Sequence, residues 1–415
     1  MSDTVNFRSN FLRLLSWSSF SQVFSFLALP FLSALYAPED FGVLASFVGI
    51  SGILTAFISF RFEWYIPNAT TFKEAVLYAS WALCLALMTA GIIGLYISVF
   101  PVHIGNFDGS TSYYILLMAV LQAFIGTLQS TASSLAVKVG ELKFVARSNL
   151  LTSLSNTLLL IIMGSLGWNY QGLILGFIIS HFMAVIYIAI HFDWRLFEIP
   201  TFRVFKQHFS ETYRRAVVTT FVSTLNTLSH NIIPVMIVSF FSSYTAGIYF
   251  MGAKLINAPV SLISSSIGLS FWSEASKRIH QDVWALRKHF IRLTQQLFGL
   301  SLLICLAIYV FSPLVPYILD KKWMEVSKIL FAFSPIVIGN LCFSGLDHLI
   351  VMNKHHYKLY ADIVRLTLVV LAIYLSAKWE FSPVYMVLSV TLGSLIGHAV
   401  SFYMHLVAYR KVLNT

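Results

Sequence analysis

Charge is what this sequence has least of. Asp and Glu number 17 and Lys and Arg 27 among 415 residues, 11% in all, where a soluble domain carries about 25%. So little charge cannot cover a surface that faces water. That excludes a soluble globular chain and leaves lipid as the main neighbour. Cysteine is nearly absent. Cys84, Cys305 and Cys342 all lie inside apolar runs, which leaves no disulfide framework and no metal-ligand spacing. Nucleotide-binding loops, dinucleotide fingerprints, HExxH and GxSxG are missing too. ATP is therefore not a directly used energy source within this chain, no cofactor is expected, and the chain reads as a transporter rather than an enzyme. No small-residue cleavage site follows the first apolar run, which reads as a retained helix rather than a signal peptide.

What is present is apolar: 58% of residues are hydrophobic, with 36 Phe. Only helices or closed barrels satisfy every backbone group in hydrocarbon. The apolar runs are about 20 residues long and do not alternate, which favours helices. The expected fold class is an all-α integral membrane protein with about twelve transmembrane helices. Spans are expected near 11–35, 42–60, 75–100, 113–136, 148–167, 172–191, 215–241, 246–270, 291–311, 328–350, 360–377 and 383–408.

The basic residues orient them. One set of connections holds 21 of the 27, among them Arg8, Arg13, Arg61, Lys138, Arg195, Arg203, Lys206, Arg214, Arg215, Lys277 and Lys358; the other set holds four, Lys321, Lys322, Lys328 and Lys378. The positive-inside rule then places both termini in the cytoplasm and supports an even number of helices. The same confinement to short loops argues against nucleic acid as the reason for the net charge of +10. The non-cytoplasmic connections are all short, which leaves no room for the catalytic loop that a lipid-linked sugar polymerase or ligase would need. The cytoplasmic connection Phe271–Phe290 reads as an amphipathic interfacial helix, with Trp272, Ile279, Val283, Trp284 and Leu286 against Lys277, Arg278, Arg287 and Lys288.

The two halves echo one another. Leu29-Pro30 and Phe41-Gly42-Val43 in the first correspond to Ile233-Pro234 and Ala246-Gly247-Ile248 in the second. Both halves run in the same direction, as a parallel repeat about an axis along the membrane normal. The domains expected are an N-terminal lobe, 1–200, with helices 1–6, and a C-terminal lobe, 201–415, with helices 7–12, around a central cavity.

Ionisable and polar groups at membrane depth default to functional candidates. Lys254 lies about 12 Å below the outer boundary at about 1.5 Å per residue, and Asn257, Ser261 and Ser265 continue its helix face toward an expected cavity. The opposing reading is a structural lysine paired with an acid. Span 7 carries Thr220, Ser223, Thr227, His230 and Asn231; span 1 carries Ser18, Gln22 and Ser25; span 4 carries Gln122, Gly126, Gln129 and Ser133. These stripes fit one hydrated cleft, although Ser, Thr and Asn also bond helix to helix. Asp362 and Arg365 read as a snorkelling i, i+3 pair, with Arg365 also a cavity candidate. Asp347 and His348 are candidates for ion coupling. Arg61 and Glu63 sit at the cytoplasmic mouth of span 2, to receive a phosphate or to bracket the helix end.

The run from Leu29 to Gly42, with Tyr36-Ala37-Pro38-Glu39-Asp40-Phe41-Gly42 at its end, then Arg61-Phe62-Glu63 and Ile66-Pro67, resembles the opening of bacterial polysaccharide flippases of the Wzx type. Those belong to the multidrug/oligosaccharidyl-lipid/polysaccharide (MOP) superfamily. Gly172–Gly176, Ala246–Tyr249, Lys254, Ala258–Ile263, Lys322-Trp323 and Pro335 extend the resemblance over nearly the whole chain, with Asp320 or Lys321 where the family has Gly. The resemblance implies an undecaprenyl-pyrophosphate-linked oligosaccharide as substrate, moved outward across the inner membrane by alternating access. It also implies a coupling cation (proton or sodium) and, as partners, a polysaccharide polymerase and a chain-length regulator. Lys254 is the first expected contact for the pyrophosphate or a sugar acid, and Lys254→Ala is expected to harm transport more than Arg365→Ala. A cation-coupled multidrug antiporter of the same superfamily is the main rival. It needs a deep acid, and none of the 17 acids lies deep in spans 1 to 9. The peptidoglycan-precursor flippase is a closer relative but usually longer by two helices.

Overall fold

The first elements follow from their caps. Pro38 starts α2 (Pro38–Ile58) at a position that needs no backbone donor, and Asp40 reaches back to accept from the Ala37 N–H at 3.0 Å. Thr71 caps α3 (Phe72–Val99) and Asp108 caps α4 (Gly109–Lys138), each by accepting a backbone N–H of the first turn. α5 (Leu142–Ser165) and α6 (Tyr170–His191) complete the first half. The computed structural model describes residues 21–192, 202–279, 281–344, 346–349, 352 and 354–413. Arg8, Arg13, Ser18 and Arg195 lie outside these residues, as do the side chains of Arg203, Lys206, Ser265 and Lys277.

In the second half α7 (Phe202–Phe240) and α8 (Ser243–Arg278) are long, with Pro234 and Pro259 inside them. Ser242 caps α8 and Asp282 caps α9 (Val283–Phe311). The tenth span is broken into α10 (Met324–Leu330), a 3-10 turn, α11 (Ser334–Gly339) and a π turn over Asn340–Ser344. α12 (His355–Lys378) and α13 (Pro383–Leu413) follow. Eleven of these segments are long and apolar enough to cross a bilayer, one on each of the expected spans 2 to 12. The first expected span is described from residue 21, as helix over 21–27 and as α1 (Leu29–Leu35). The chain is thus a multi-pass, all-helical membrane protein, and no strand occurs among the described residues.

The outward faces of these helices are apolar and exposed, as at Leu87, Ile92, Leu95, Leu303 and Leu306. In a bilayer such faces meet lipid rather than water. α2 is the central element, packed against α4, α6, α7 and α8.

The interfacial helix expected over Phe271–Phe290 is corrected. Those residues form the last turns of α8 and the first of α9, a helical hairpin. Phe271, Ala275, Leu286 and Phe290 are buried in a cluster with Leu346, Leu349, Ala408 and Tyr409. Of the expected apolar face, protein covers Leu286, while Trp272 and Trp284 remain exposed. Glu274 ties the hairpin together, pairing with Arg278 at 2.9 Å and with His289 at 3.3 Å.

Candidate functional site: a cationic cavity between the two halves

The two ends of the bundle differ. At the end away from the basic loops, the halves are zipped together. The Trp323 indole N–H donates to the Ser33 carbonyl at 2.9 Å, and the Lys322 ammonium donates to the Ala34 carbonyl at 2.9 Å. Phe41 meets the Trp323 ring edge-on at 5.1 Å. Asn106 donates to the Phe241 carbonyl at 3.1 Å. Within the first half, Asp40 accepts from the Tyr170 N–H at 3.0 Å, and the Tyr36 hydroxyl donates to the Leu160 carbonyl at 2.7 Å. The run Leu29–Gly42 therefore builds this junction.

At the end that carries the basic loops, the halves part around a cavity of about 1080 Å³. The first half contributes Arg61, Trp64, Tyr65 and Asn68; the second contributes residues of α7, α12 and α13 together with Trp272 and Asp347. Five cations line it, Arg61, Arg214, Arg215, Lys358 and Arg365, against two carboxylates, Asp347 and Asp362.

Arg61 is held by a strained turn. Phe60 and Arg61 have φ of 49° and 55°, a left-handed conformation that L side chains rarely adopt. A 3-10 turn, Phe62–Trp64, follows. Phe62 and Ile66 are buried, with Phe62 against Trp81 and Phe209, so packing holds the turn in place. The Arg61 Nε donates to Ser223 Oγ at 2.7 Å, Nη1 lies 3.4 Å from Glu63, and the guanidinium covers the Trp64 ring at 4.6 Å. Burial pushes this guanidinium below its ordinary value, against the pull of Glu63.

On the facing wall lies a chain of ion pairs. Lys358 bridges Asp347 at 2.6 Å and Asp362 at 3.3 Å. Asp362 also takes Arg365 at 3.5 Å and the Asn226 amide at 3.1 Å. Arg365 donates to Ser229 Oγ, while its Nε is buried with no hydrogen-bond partner. This corrects the snorkelling reading. Arg365 and Asp362 are 4% and 3% exposed and turn into the cavity, because Asn226 and Ser229 of α7 offer polar partners there. Asp347 also lies 3.3 Å from His405 Nε2.

The structure brings Arg61, His230, Arg365 and Asp347 into this one cavity. His348 does not reach it. It is buried behind Asp347, against Tyr409 Oη at 2.6 Å and the rings of Phe271 and Phe290. Asn231 of α7 and Arg61 line a second, smaller cavity whose other lining residues belong to the first half. Ser261 donates to Gln22 Oε1 at 3.0 Å, and neither they nor Asn257 line either of these cavities. Lys254 lies at the zipped end, its ammonium 5.6 Å from the Phe41 ring and 5.0 Å from the Phe250 ring, and it lines neither of these cavities. Among the described residues no carboxylate is within ion-pair distance of it, so the structural ion-pair reading also fails there.

Arg214, Arg215, Lys358, Asp362 and His398 are cavity residues that the sequence reading did not single out for the cavity. Arg214 and Arg215 counted only as loop charges. α7 begins at Phe202, so both lie on a helix that already faces the cleft.

The profile of a family described as "Polysaccharide biosynthesis protein" matches residues 31–328. A comparison with curated proteins finds no match. Solved structures that share the fold include the following three. One is a multidrug resistance MATE family transporter of the MOP superfamily in an inward-facing conformation, at TM-score 0.68 and 15% identity, covering 95% of this chain and 96% of that one. Another is the lipid II flippase MurJ in an inward closed conformation, at TM-score 0.67 and 15% identity, covering 96% and 89%. A third is a MOP superfamily transporter from Pyrococcus furiosus, at TM-score 0.61 and 16% identity, covering 97% and 95%.

Proposed function

We infer that this chain, which belongs to the polysaccharide biosynthesis protein family, moves undecaprenyl-pyrophosphate-linked oligosaccharide from the cytoplasmic to the outer leaflet of the inner membrane. The observation that carries the reading is the excess of five cations over two carboxylates in a cavity shared by both halves. A pyrophosphate cannot cross about 30 Å of hydrocarbon without counter-charge. Arg61 offers a planar fork of donors suited to phosphate oxygens. Arg365 offers a buried Nε that still lacks an acceptor. The lipid tail remains in the bilayer while the head group enters.

Two lobes, 1–200 and 201–415, would rock about the α2–α8 contact. In this state the basic, cytoplasmic end is open and the other end closed. When the closed end opens, Lys254 loses Phe41 from its surroundings and becomes the cation that meets the departing head group. A coupling cation, proton or sodium, would act at Asp347, whose carboxylate already joins Lys358 and His405. Both termini lie in the cytoplasm on this reading, and the product feeds surface polysaccharide assembly (O-antigen, capsule or exopolysaccharide).

The alternative, a cation-coupled multidrug antiporter, needs an acid free to hold an organic cation. Both carboxylates lining the cavity are already taken by Lys358 or Arg365. The test is complementation of a strain lacking its own flippase, supplied with the sugar-assembly genes native to this chain. Surface polysaccharide returns and the trapped lipid-linked intermediate disappears if the reading holds. A persistent intermediate, with confirmed membrane expression, contradicts it.

A further inference from the structure

A second cavity, of about 440 Å³ and lined by the first half together with Asn231 of α7, is within the size range of small-molecule sites. Its chemistry differs from that of the cationic cavity. No carboxylate lines it, and Arg61 is its one charged residue, shared with the cationic cavity. Its other polar groups are amide, hydroxyl and imidazole, chiefly Ser51, Gln122, Gln129, Asn149, His181 and Asn231, with Val48 and Phe177 as apolar lining.

Two of these groups are unfilled acceptors. Gln122 is 4% exposed, and its Oε1 is buried with no hydrogen-bond partner. His181 Nδ1 lies 2.8 Å from the Phe177 carbonyl, which only accepts, so the proton sits on Nδ1. Its Nε2 is then an acceptor with no partner among the described residues. The His181 ring stacks on Phe177 at 4.4 Å, which fixes its plane. An unfilled buried acceptor such as Gln122 Oε1 is costly, and together with His181 Nε2 beside the Phe177 ring face it suits a neutral ligand rich in O–H donors.

We propose that this cavity is the saccharide subsite, and that Arg61 marks the boundary between it and the pyrophosphate. The sugars nearest the pyrophosphate enter between α2, α4 and α6 and donate hydroxyls to Gln122 and His181. The lipid-linked phosphates stay on the cationic side. The proposal rests on the flippase reading and gives it a division of labour: charge selects the carrier, and the amide-lined cavity selects for a glycosylated carrier over an empty one.

The test is binding to purified protein in nanodiscs with two probes. One is undecaprenyl pyrophosphate alone. The other is the undecaprenyl-pyrophosphate repeat unit isolated from cells that lack this chain. Wild type is expected to hold the glycosylated probe at least tenfold more tightly. Gln122→Leu and His181→Phe should each lose about fivefold for the glycosylated probe, the weight of one hydrogen bond, with the bare probe unchanged. Two variants on different helices guard against one failing to fold. Equal loss for both probes, or no loss for either, overturns the subsite. Failure of wild type to bind either probe overturns the flippase reading itself.

Discussion

Gly42 of α2 and Gly247 of α8 face each other across the helix crossing that joins the two halves. A Cβ on Gly247 would lie 1.7 Å from the Pro38 carbonyl oxygen and 3.1 Å from the Gly42 nitrogen; a Cβ on Gly42 would lie 2.0 Å from the Ser243 carbonyl oxygen. Each glycine thus meets the backbone four residues before the other. These are the two positions of the sequence echo.

The crossing predicts how the closed end opens. Gly247→Ala places a methyl inside backbone, which no side-chain rotation relieves, so α2 and α8 must separate. In a background with Cys84, Cys305 and Cys342 replaced, a cysteine at Phe250 should react faster with a membrane-impermeant maleimide once Gly247→Ala is added. The reagent is applied from the side away from the basic loops. An unchanged rate would show that the crossing does not hold that end closed.

Arg61 should be intolerant of conservative change. Arg61→Lys keeps a charge but loses the fork of donors and the contact with Ser223. Arg61→Gly relieves a left-handed backbone position yet removes the cation. Transport is expected to fall at least tenfold in Arg61→Gly and less in Arg61→Lys, while Arg61→Gly protein stays folded in detergent. Transport near wild type in Arg61→Gly would remove Arg61 from the site.

Much of the architecture was legible in the sequence, and the reasons are physical. Span positions follow from hydrocarbon thickness, which makes them a local property of the sequence. The site was less legible. Lys254 was read from the cost of burying charge, which is real, but its neighbours Phe41 and Phe250 offer π faces that helical periodicity does not reveal. Arg214, Arg215 and Lys358 were counted for orientation and not placed in three dimensions, because charge counting treats them as interchangeable. Asp362 and Arg365 were visible as a pair. Whether they turned to the headgroups or to the cleft depended on Asn226 and Ser229, more than 130 residues away.

The ion-pair chain on α12 predicts a stability effect. Asp362→Ala leaves Lys358 and Arg365 short of a carboxylate in a buried setting, at a cost of about 3–5 kcal/mol. Arg365→Ala should likewise lower the thermal midpoint in detergent, and the double variant should cost less than the two single costs summed. Strict additivity would show that the pair is not coupled. Arg365→Ala is now expected to harm the protein more than Lys254→Ala, reversing the order expected from sequence.

Lys254 should separate binding from transport. Because it lies outside the open cavity, Lys254→Gln should hold undecaprenyl pyrophosphate within about twofold of wild type, yet slow transport several-fold by weakening the contacts at the closed end. A loss of binding as large as that of Arg61→Gly would return Lys254 to the loading site.

The most direct measurement is translocation in proteoliposomes. Undecaprenyl-pyrophosphate-linked oligosaccharide is placed in the leaflet on the basic-loop side, and its arrival in the other leaflet is read by an impermeant sugar-modifying reagent. The account predicts movement with wild-type protein, at least tenfold slower with Arg61→Gly, and no uptake of an organic cation such as ethidium. Ethidium movement without movement of the lipid-linked sugar would contradict it.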